Sequence, residues 1–411
     1  MSAAEPGAPL RILAVGLLYP PHYVGGYELL CQGAMRAAGD RGHSVRVLVS
    51  DYRSPQAVQQ TGPPRAEPQV HRELRSYLDA SARRAADLGP GATIALERHN
   101  AAVLERHLRE FTPHVVSWWA MGGMSLSLIE RVRREGIPSV LAIEDHWLYY
   151  GPMTDRWTNA MRRYRLAPLA PVIERALGVP ATGELERAGR YLFNSSFMAD
   201  AAAAAGFRAQ DWGVVSPGVH ERFRSAPAPE WGGRLLYVGR LDAGKAVDVI
   251  VAAMALLGNE TTLTVIGAGE DDYAEQLRAQ ARELGVERRV SFAGPRGAEE
   301  LPAEYERADA LIFPVRWEEP WGLVPLEAMA VGRPVIATSM GGAATYLRDG
   351  ENAVIIPVED ARALADAVRG LAASPELRES LVQGGLRTAA LHTAARHDEL
   401  IVDELERAAG R

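Results

Sequence analysis

Short apolar runs, each followed by a turn and a stretch with helical spacing, recur along this chain, and the rhythm starts twice. RILAVGLL at 11–18 opens the first series, which continues at Val45–Val49, His114–Ser117, Ser139–Ile143 and Arg190–Phe193. Helices are expected at about Tyr27–Ala38, 71–87, 93–110, 125–135 and Phe197–Ala205, with a polar Pro/Gln stretch at 54–69. A second series begins at Arg234, with strands expected at 234–238, 262–266, 289–292, 310–313, 334–337 and 353–356. Apolar strands alternating with helices require a parallel sheet covered on both faces. A chain of 411 residues is too long for one core and should split in two. The fold class is therefore α/β, with two Rossmann-like domains joined near 216–231 by the Pro-rich linker SPGVHERFRSAPAPEWG.

Charge and cysteine usage narrow the function classes. Residues 1–215 carry a net charge of +3 and residues 216–411 one of −10. The acidic half lacks the basic stripe that a nucleic-acid surface needs. The mildly basic half allows at most peripheral contact with an anionic membrane. The single cysteine, Cys31, excludes an internal disulfide and a Cys-rich zinc site, and fits a reducing compartment. MSAAEPGAPL has no basic start leading into an apolar stretch, and no apolar run is long enough to span a bilayer. A cytoplasmic location is expected.

Lys245 is the only lysine, against 44 arginines. Composition that has made nearly every cation an arginine should spare a lysine where a compact point charge differs from a planar fork. Lys245 lies in GRLDAGKAVDVI, a turn between an expected strand and helix, and such turns bind anions. Downstream, EPWGLVPLE sets Glu319 and Glu327 with seven residues between them around another turn into a helix. A carboxylate can accept two hydrogen bonds from adjacent hydroxyls, so cations first and paired carboxylates later suit a phosphorylated, hydroxyl-rich ligand. The loops Gly25-Gly26, Asp145-His146, Arg240–Lys245, Gly267–Gly269 and Glu319–Gly322 all follow expected strands, where ligands of such sheets bind.

GRLDAGKAVDVIVAA, VIGAGE, FAGPRGAEELPAEYERADALIFPVRWEEPWGLVPLEAMAVGRPVIATSMGG and DGENAVIIP resemble, in this order, the donor-binding half of retaining glycosyltransferases of family four. The likeness covers most of 232–390. It is looser in RILAVGLLYPPHYVGG, RGHSVRVLV, NSSFMADAA and SPGVHERF. It implies a GT-B fold, with an acceptor-binding domain over 1–215 and a nucleotide-sugar-binding domain over 216–390, facing each other across a cleft. The C-terminal helix, about 391–411, would return to the first domain and pack Leu400, Ile401 and Leu405 there.

The implied activity is transfer of a sugar, with retention, from a nucleoside diphosphate to an acceptor hydroxyl. The acceptor would be a small secondary metabolite or an envelope glycolipid. Arg240, Lys245 and the amides around Trp321, Gly322, Leu323 and Val324 would hold the diphosphate in place of a metal, and no Asp-x-Asp motif is present. Glu327 would hold the ribose and Glu319 the transferred sugar. Gly25 and Gly26 would let backbone approach the donor phosphate or the acceptor, and Gly267 the donor. No cofactor is expected beyond the nucleotide sugar itself.

The chain departs from the pattern at Glu144-Asp145-His146-Trp147, where relatives end the strand in His-Asp. Either His146 takes the histidine's role or Glu144 puts a carboxylate there. Thr345 stands where many relatives carry Glu. Tyr23, Tyr27, Trp118, Trp119, Trp147 and Tyr149 are candidates for stacking on a sugar or an apolar acceptor, or for core packing. Two rival readings remain: a catalytically silent nucleotide-sugar sensor and a nucleotide-sugar epimerase of similar shape.

Overall fold

The computed structural model describes residues 8–54, 58–59, 67–79, 86, 88–269 and 271–410. The chain divides into two compact units, Met1–Ser216 with Ala395–Arg411, and Pro217–Ala394.

In the first unit the strands are β1 (Arg11–Gly16), β2 (His22–Tyr23), β3 (Ser44–Ser50), β4 (Val58–Gln59), β5 (Gln69–Leu74), β6 (Val115–Trp118), β7 (Ser139–Ile143), β8 (Arg190–Phe193) and β9 (Asp211–Val214). Seven of them form a parallel sheet in the order β5-β3-β1-β6-β7-β8-β9, and β2 pairs with β4 apart from it. The order reverses between β1 and β6, the kind of place where doubly wound sheets bind ligands. At the end of β1, a Cβ on Gly16 would lie 2.6 Å from the Trp119 carbonyl oxygen, so only glycine lets the two chain segments approach there.

The second unit holds β10 (Arg234–Val238), β11 (Thr262–Ile266), β12 (Val290–Gly294), β13 (Ala310–Phe313), β14 (Val335–Ala337) and β15 (Val354–Ile355). Their order is β12-β11-β10-β13-β14-β15, all parallel, with the reversal between β10 and β13. Near the boundary of this unit Val219 and Thr393 form a bridge, with the Val219 amide donating to the His392 carbonyl at 2.8 Å.

One element departs from the sequence reading. The helix expected over 71–87 begins instead as strand β5, paired in parallel with β3; residues 80–85 and 87 lie outside the described residues. Arg and Glu favour a helix in isolation. Pairing with β3 overrides that preference, as tertiary context does for β propensity generally. The helices Trp147–Thr154, Arg156–Arg163 and Ala170–Leu177, and strand β9, have no counterpart among the expected elements.

The helix Ala394–Ala408 belongs to the first unit's core. Ile401, Val402 and Leu405 are buried beside Leu10, Ile12, Ala34 and Met35, with Leu400 partly buried against them. Arg190 grips Glu404 with Nε and Nη2, Arg41 Nη1 lies 2.6 Å from Asp403, and His43 Nε2 lies 2.9 Å from Glu406. No helix among the described residues is long and apolar enough to cross a membrane.

A buried polar cluster braces the helix Pro90–Phe111 of the first unit. Glu97 accepts from the Tyr77, Ser125 and Ser127 hydroxyls, and Asp155 accepts from the Leu126 amide at 2.9 Å. Burial, then the neighbouring Asp155, push the Glu97 carboxyl from 4.5 up to about 7, against the pull of its hydroxyl donors. The folded state therefore binds more protons than the unfolded state between those values. This group's contribution to stability is full below about pH 4.5 and is lost as pH rises through about 7. Glu97→Gln should flatten this fall. Urea midpoints at pH 5 and pH 8 would show it, and a drop as large as the parent's would place the titration elsewhere.

Candidate functional site

Three loops of the second unit leave the carboxyl ends of β10, β11 and β13. The turn after β10 contains Arg240 and the single 3-10 turn Ala243–Lys245. Its partner loop after β11 lies so close that a Cβ on Gly267 would meet the Gly239 carbonyl oxygen at 1.8 Å, and one on Gly269 the Leu241 oxygen at 1.8 Å. Gly267 also has φ +143°. It thus sets the close packing of two loops; direct contact with a ligand is not needed to explain it.

The loop after β13 brings Glu319 back to Lys245. The Lys245 Nζ donates to Glu319 Oε2 at 2.5 Å, and Trp317 Nε1 donates to the same oxygen at 2.8 Å. The ammonium stands 5.0 Å from the Trp317 ring centre and 6.0 Å from that of Phe313. Lys245 and Glu319 side chains are 12% and 14% exposed, so the pair is shielded but still reachable. Two further contacts fix the backbone. Arg316 N donates to Gly244 O at 2.9 Å, and Gly342 N to Glu319 O at 2.7 Å. Gly341, at φ +60°, is needed because a Cβ there would lie 2.4 Å from the Glu319 carbonyl oxygen.

Beyond Glu319 the chain enters the helix Leu323–Val331 through Gly322 at φ +86°. Gly322 O accepts the Tyr346 hydroxyl. Among the described residues no acceptor meets the Leu323 or Val324 amide, so two donors stay open at the positive end of the helix dipole. Trp321 itself is buried against Tyr346 and His392, with ring centres 5.1 and 5.2 Å away. Its side chain belongs to the core. Glu327, half-buried on this helix, accepts the Tyr305 hydroxyl at 2.6 Å. Burial raises its pKa, opposed by that hydrogen bond and by Arg222. Arg240 is exposed, 3.5 Å from Asp242.

In the first unit the sequence candidates scatter. The Gly25 amide donates to Glu28 Oε2 at 3.0 Å and so is already engaged, with Gly26 opening the helix Gly26–Asp40. Tyr23, Trp118, Trp119 and Trp147 are core residues, not stacking surfaces. Trp118 and Trp119 spend their indole N–H groups on Ser139 and Ser117 at 3.1 and 2.8 Å. Tyr27 is partly buried and donates to the Ala142 carbonyl. Large aromatics at strand ends are drawn inward because they remove the most apolar area from water. Only Tyr149 of that group is exposed.

Glu144 turns into the unit. Its side chain lies 3.9 Å from the Nε2 of the fully buried His397 of the C-terminal helix, and His397 Nδ1 is 3.0 Å from Asp398. Burial pushes the Glu144 carboxyl up to about 7, against the pull of His397 and Asn194. Asp145 accepts from the Trp147 amide at 3.0 Å and the Tyr150 hydroxyl at 2.6 Å. His146 precedes the helix Trp147–Thr154. Thr345, in the second unit, donates its hydroxyl to the Gly342 carbonyl at 2.6 Å and so caps its own turn.

Sequence reasoning misses Trp317, Tyr305, Gly341 and His397. Trp317 stands two residues before Glu319, and Gly341 lies in SMGG, but neither pattern says what it braces. His71, Glu73 and His107 also gather within 4.8 Å, a grouping able to hold a cation. Arg106 already pairs with Glu73, and Arg46 Nη1 lies 3.3 Å from His107 Nδ1, so the cluster is held by hydrogen bonds and ion pairs.

Residues 220–387 match the family model described as glycosyl transferases group 1. The chain is 36% identical over 171 residues to the D-inositol 3-phosphate glycosyltransferase of Salinispora arenicola, covering 39% of this chain and 38% of that one. It is 38% identical over 162 residues to the glycogen synthase of Mycobacterium tuberculosis, covering 39% and 37%. The chain thus spans under two fifths of the length of these curated relatives. Among solved structures, Anabaena HepE in complex with UDP-glucose superposes with a TM-score of 0.69 at 19% identity, over 97% of this chain and 100% of that one. Sucrose-phosphate synthase from Thermosynechococcus elongatus gives 0.70 at 20% identity, over 97% and 98%. These likenesses establish the GT-B architecture of two Rossmann-like domains over nearly the whole chain.

Proposed function

We propose that this chain, which carries the group 1 glycosyltransferase match in its second unit, transfers a sugar from a nucleoside diphosphate to an acceptor hydroxyl, with retention and without a metal. The observation that carries the reading is the shielded Lys245–Glu319 pair beside the open amides of Leu323 and Val324. A shielded ammonium and two open helix-end N–H groups are the kinds of group that hold an anion, and carboxylates at 319 and 327 flank the amides in sequence. The HepE structure with UDP-glucose supports a nucleotide-sugar donor.

The chemistry follows from what these groups stabilise. As the bond from the anomeric carbon to the phosphate oxygen breaks, negative charge builds on the leaving diphosphate. Lys245, the exposed Arg240 and the helix-end amides oppose that charge without reorganising. The acceptor oxygen bonds to the anomeric carbon on the face that the diphosphate leaves, and its proton passes to a phosphate oxygen. Lys245 and Glu319 neutralise each other until a donor arrives. The diphosphate then takes over the ammonium and releases the Glu319 carboxylate toward the hydroxyls of the sugar.

The two carboxylates then divide the donor. Glu327→Ala should weaken the nucleoside diphosphate and the intact donor alike, each contact being worth about 1.5–3 kcal/mol. Glu319→Ala should leave nucleotide affinity at least as high, since Lys245 is freed, while donor turnover falls. Calorimetry with both ligands on both variants tests this, and equal loss of nucleotide affinity would refute the division. Turnover should also persist in excess chelator. Strict dependence on Mg²⁺ or Mn²⁺ would remove the role given to Lys245 and the amides.

A further inference from the structure

The first unit contains a cavity of about 390 Å³ that the nucleotide-binding residues leave unused. It lies beyond the carboxyl ends of β7 and β8, between the helices Trp147–Thr154 and Ser196–Ala204. The volume falls in the range of small-molecule sites, about 300–1,000 Å³. Phe193, Phe207, Met198 and Ala201 make an apolar interior. At its rim Tyr149 and Met153 stand one helical turn apart, 61% and 62% exposed. Two large apolar side chains held open to water beside an apolar cavity are a costly surface unless something covers them.

The polar groups of the cavity are few and of complementary kinds. Asp145 and His146 lie at the end of β7, and Arg162 lines the cavity from the helix Arg156–Arg163. Asp145 is fixed by the Trp147 amide and the Tyr150 hydroxyl. Among the described residues no side chain hydrogen-bonds the His146 ring, and no carboxylate pairs with Arg162. Glu144, by contrast, is turned toward His397 and does not line the cavity.

We infer that this cavity seats the acceptor, a compact apolar compound bearing a hydroxyl and an acidic substituent. The apolar body packs on Phe193, Phe207 and Met198, the acid meets Arg162, and the hydroxyl faces His146. The inference rests on the proposed transfer reaction, because only that reading makes a hydroxyl compound the second ligand.

The probe is 8-anilinonaphthalene-1-sulfonate, an aromatic body with one acid group. The full-length chain should bind it saturably, with fluorescence enhancement. Ala201→Trp, which fills the interior, should weaken binding at least tenfold. Met153→Glu alters only an exposed rim position and places a like charge beside the sulfonate, so it should also weaken binding several-fold without touching the fold. Arg162→Gln should weaken the sulfonate several-fold but leave the neutral N-phenyl-1-naphthylamine unaffected. Melting curves show whether each variant is folded. Parent-like binding by folded Ala201→Trp and Met153→Glu overturns the cavity as the site, and equal loss of both probes in Arg162→Gln overturns the acidic substituent. A thermal-shift panel of nucleoside diphosphates on the same parent chain separates the two claims. Absence of any shift sinks the donor reading, whereas a shift with failed probe arms sinks only the acceptor inference.

Discussion

Lys245→Ala is expected to cut turnover by about 10²–10³-fold, the cost of removing one preorganised charge-stabilising donor. The ammonium is not a loose surface cation. It lies 5.0 Å from the Trp317 ring centre and 6.0 Å from that of Phe313, and pairs with Glu319 at 2.5 Å. Its removal strands a shielded carboxylate, so some stability is lost as well. Lys245→Ala combined with Glu319→Gln separates the two effects. Stability should return because no unpaired charge remains, and turnover should stay low because the diphosphate has lost its counter-charge and the sugar the Glu319 carboxylate. Lys245→Arg should also fail to restore full activity, since a planar fork does not reproduce a compact point charge beside the Trp317 and Phe313 rings. Steady-state rates with saturating donor and urea midpoints for the three variants decide the matter. A fully active Lys245→Ala chain would refute the assigned role.

Ending the chain at Thr393, which removes the C-terminal helix, should unfold the first unit. Ile401, Val402 and Leu405 are almost wholly buried in its core, and burying each such side chain stabilises by about 1.5–3 kcal/mol. The three together rival the total stability of an ordinary domain, about 5–15 kcal/mol. The truncation also strips Glu404 from Arg190 and Asp403 from Arg41. Limited proteolysis should find the second unit protected and the first degraded. In the full-length chain, Leu405→Ala alone should cost about 2–5 kcal/mol. A truncated chain that melts like the parent would show that the helix is dispensable.

Much of the fold was legible because parallel strands buried on both faces read as bare apolar runs. Ser139–Ile143 and Arg190–Phe193 coincide with β7 and β8. The failure at β5 has a clear cause: QVHREL is amphiphilic enough to suit either period, and only the open edge of β3 selects the strand. Candidate residues stood out where chemistry restricts residue type, and two of them, Lys245 and Glu319, meet in the structure. A lone lysine and a spaced pair of glutamates are residue types with few interchangeable substitutes. Aromatics carry no such restriction. Four of the six proposed as stacking surfaces are core, and the one exposed member, Tyr149, rims a cavity whose Phe193 and Phe207 no motif marks.

Local pattern along the chain was enough to specify the two parallel sheets and the loops after β10 and β13. These depend on period and composition, which a single chain displays. Packing alone settled that Lys245 meets Glu319 across 74 residues. It also settled that Gly267 serves loop packing and that Glu144 turns inward to His397 while His146 lines the cavity. Those outcomes depend on which side chains share a space after the sheets assemble, and distance along the chain holds no information about it.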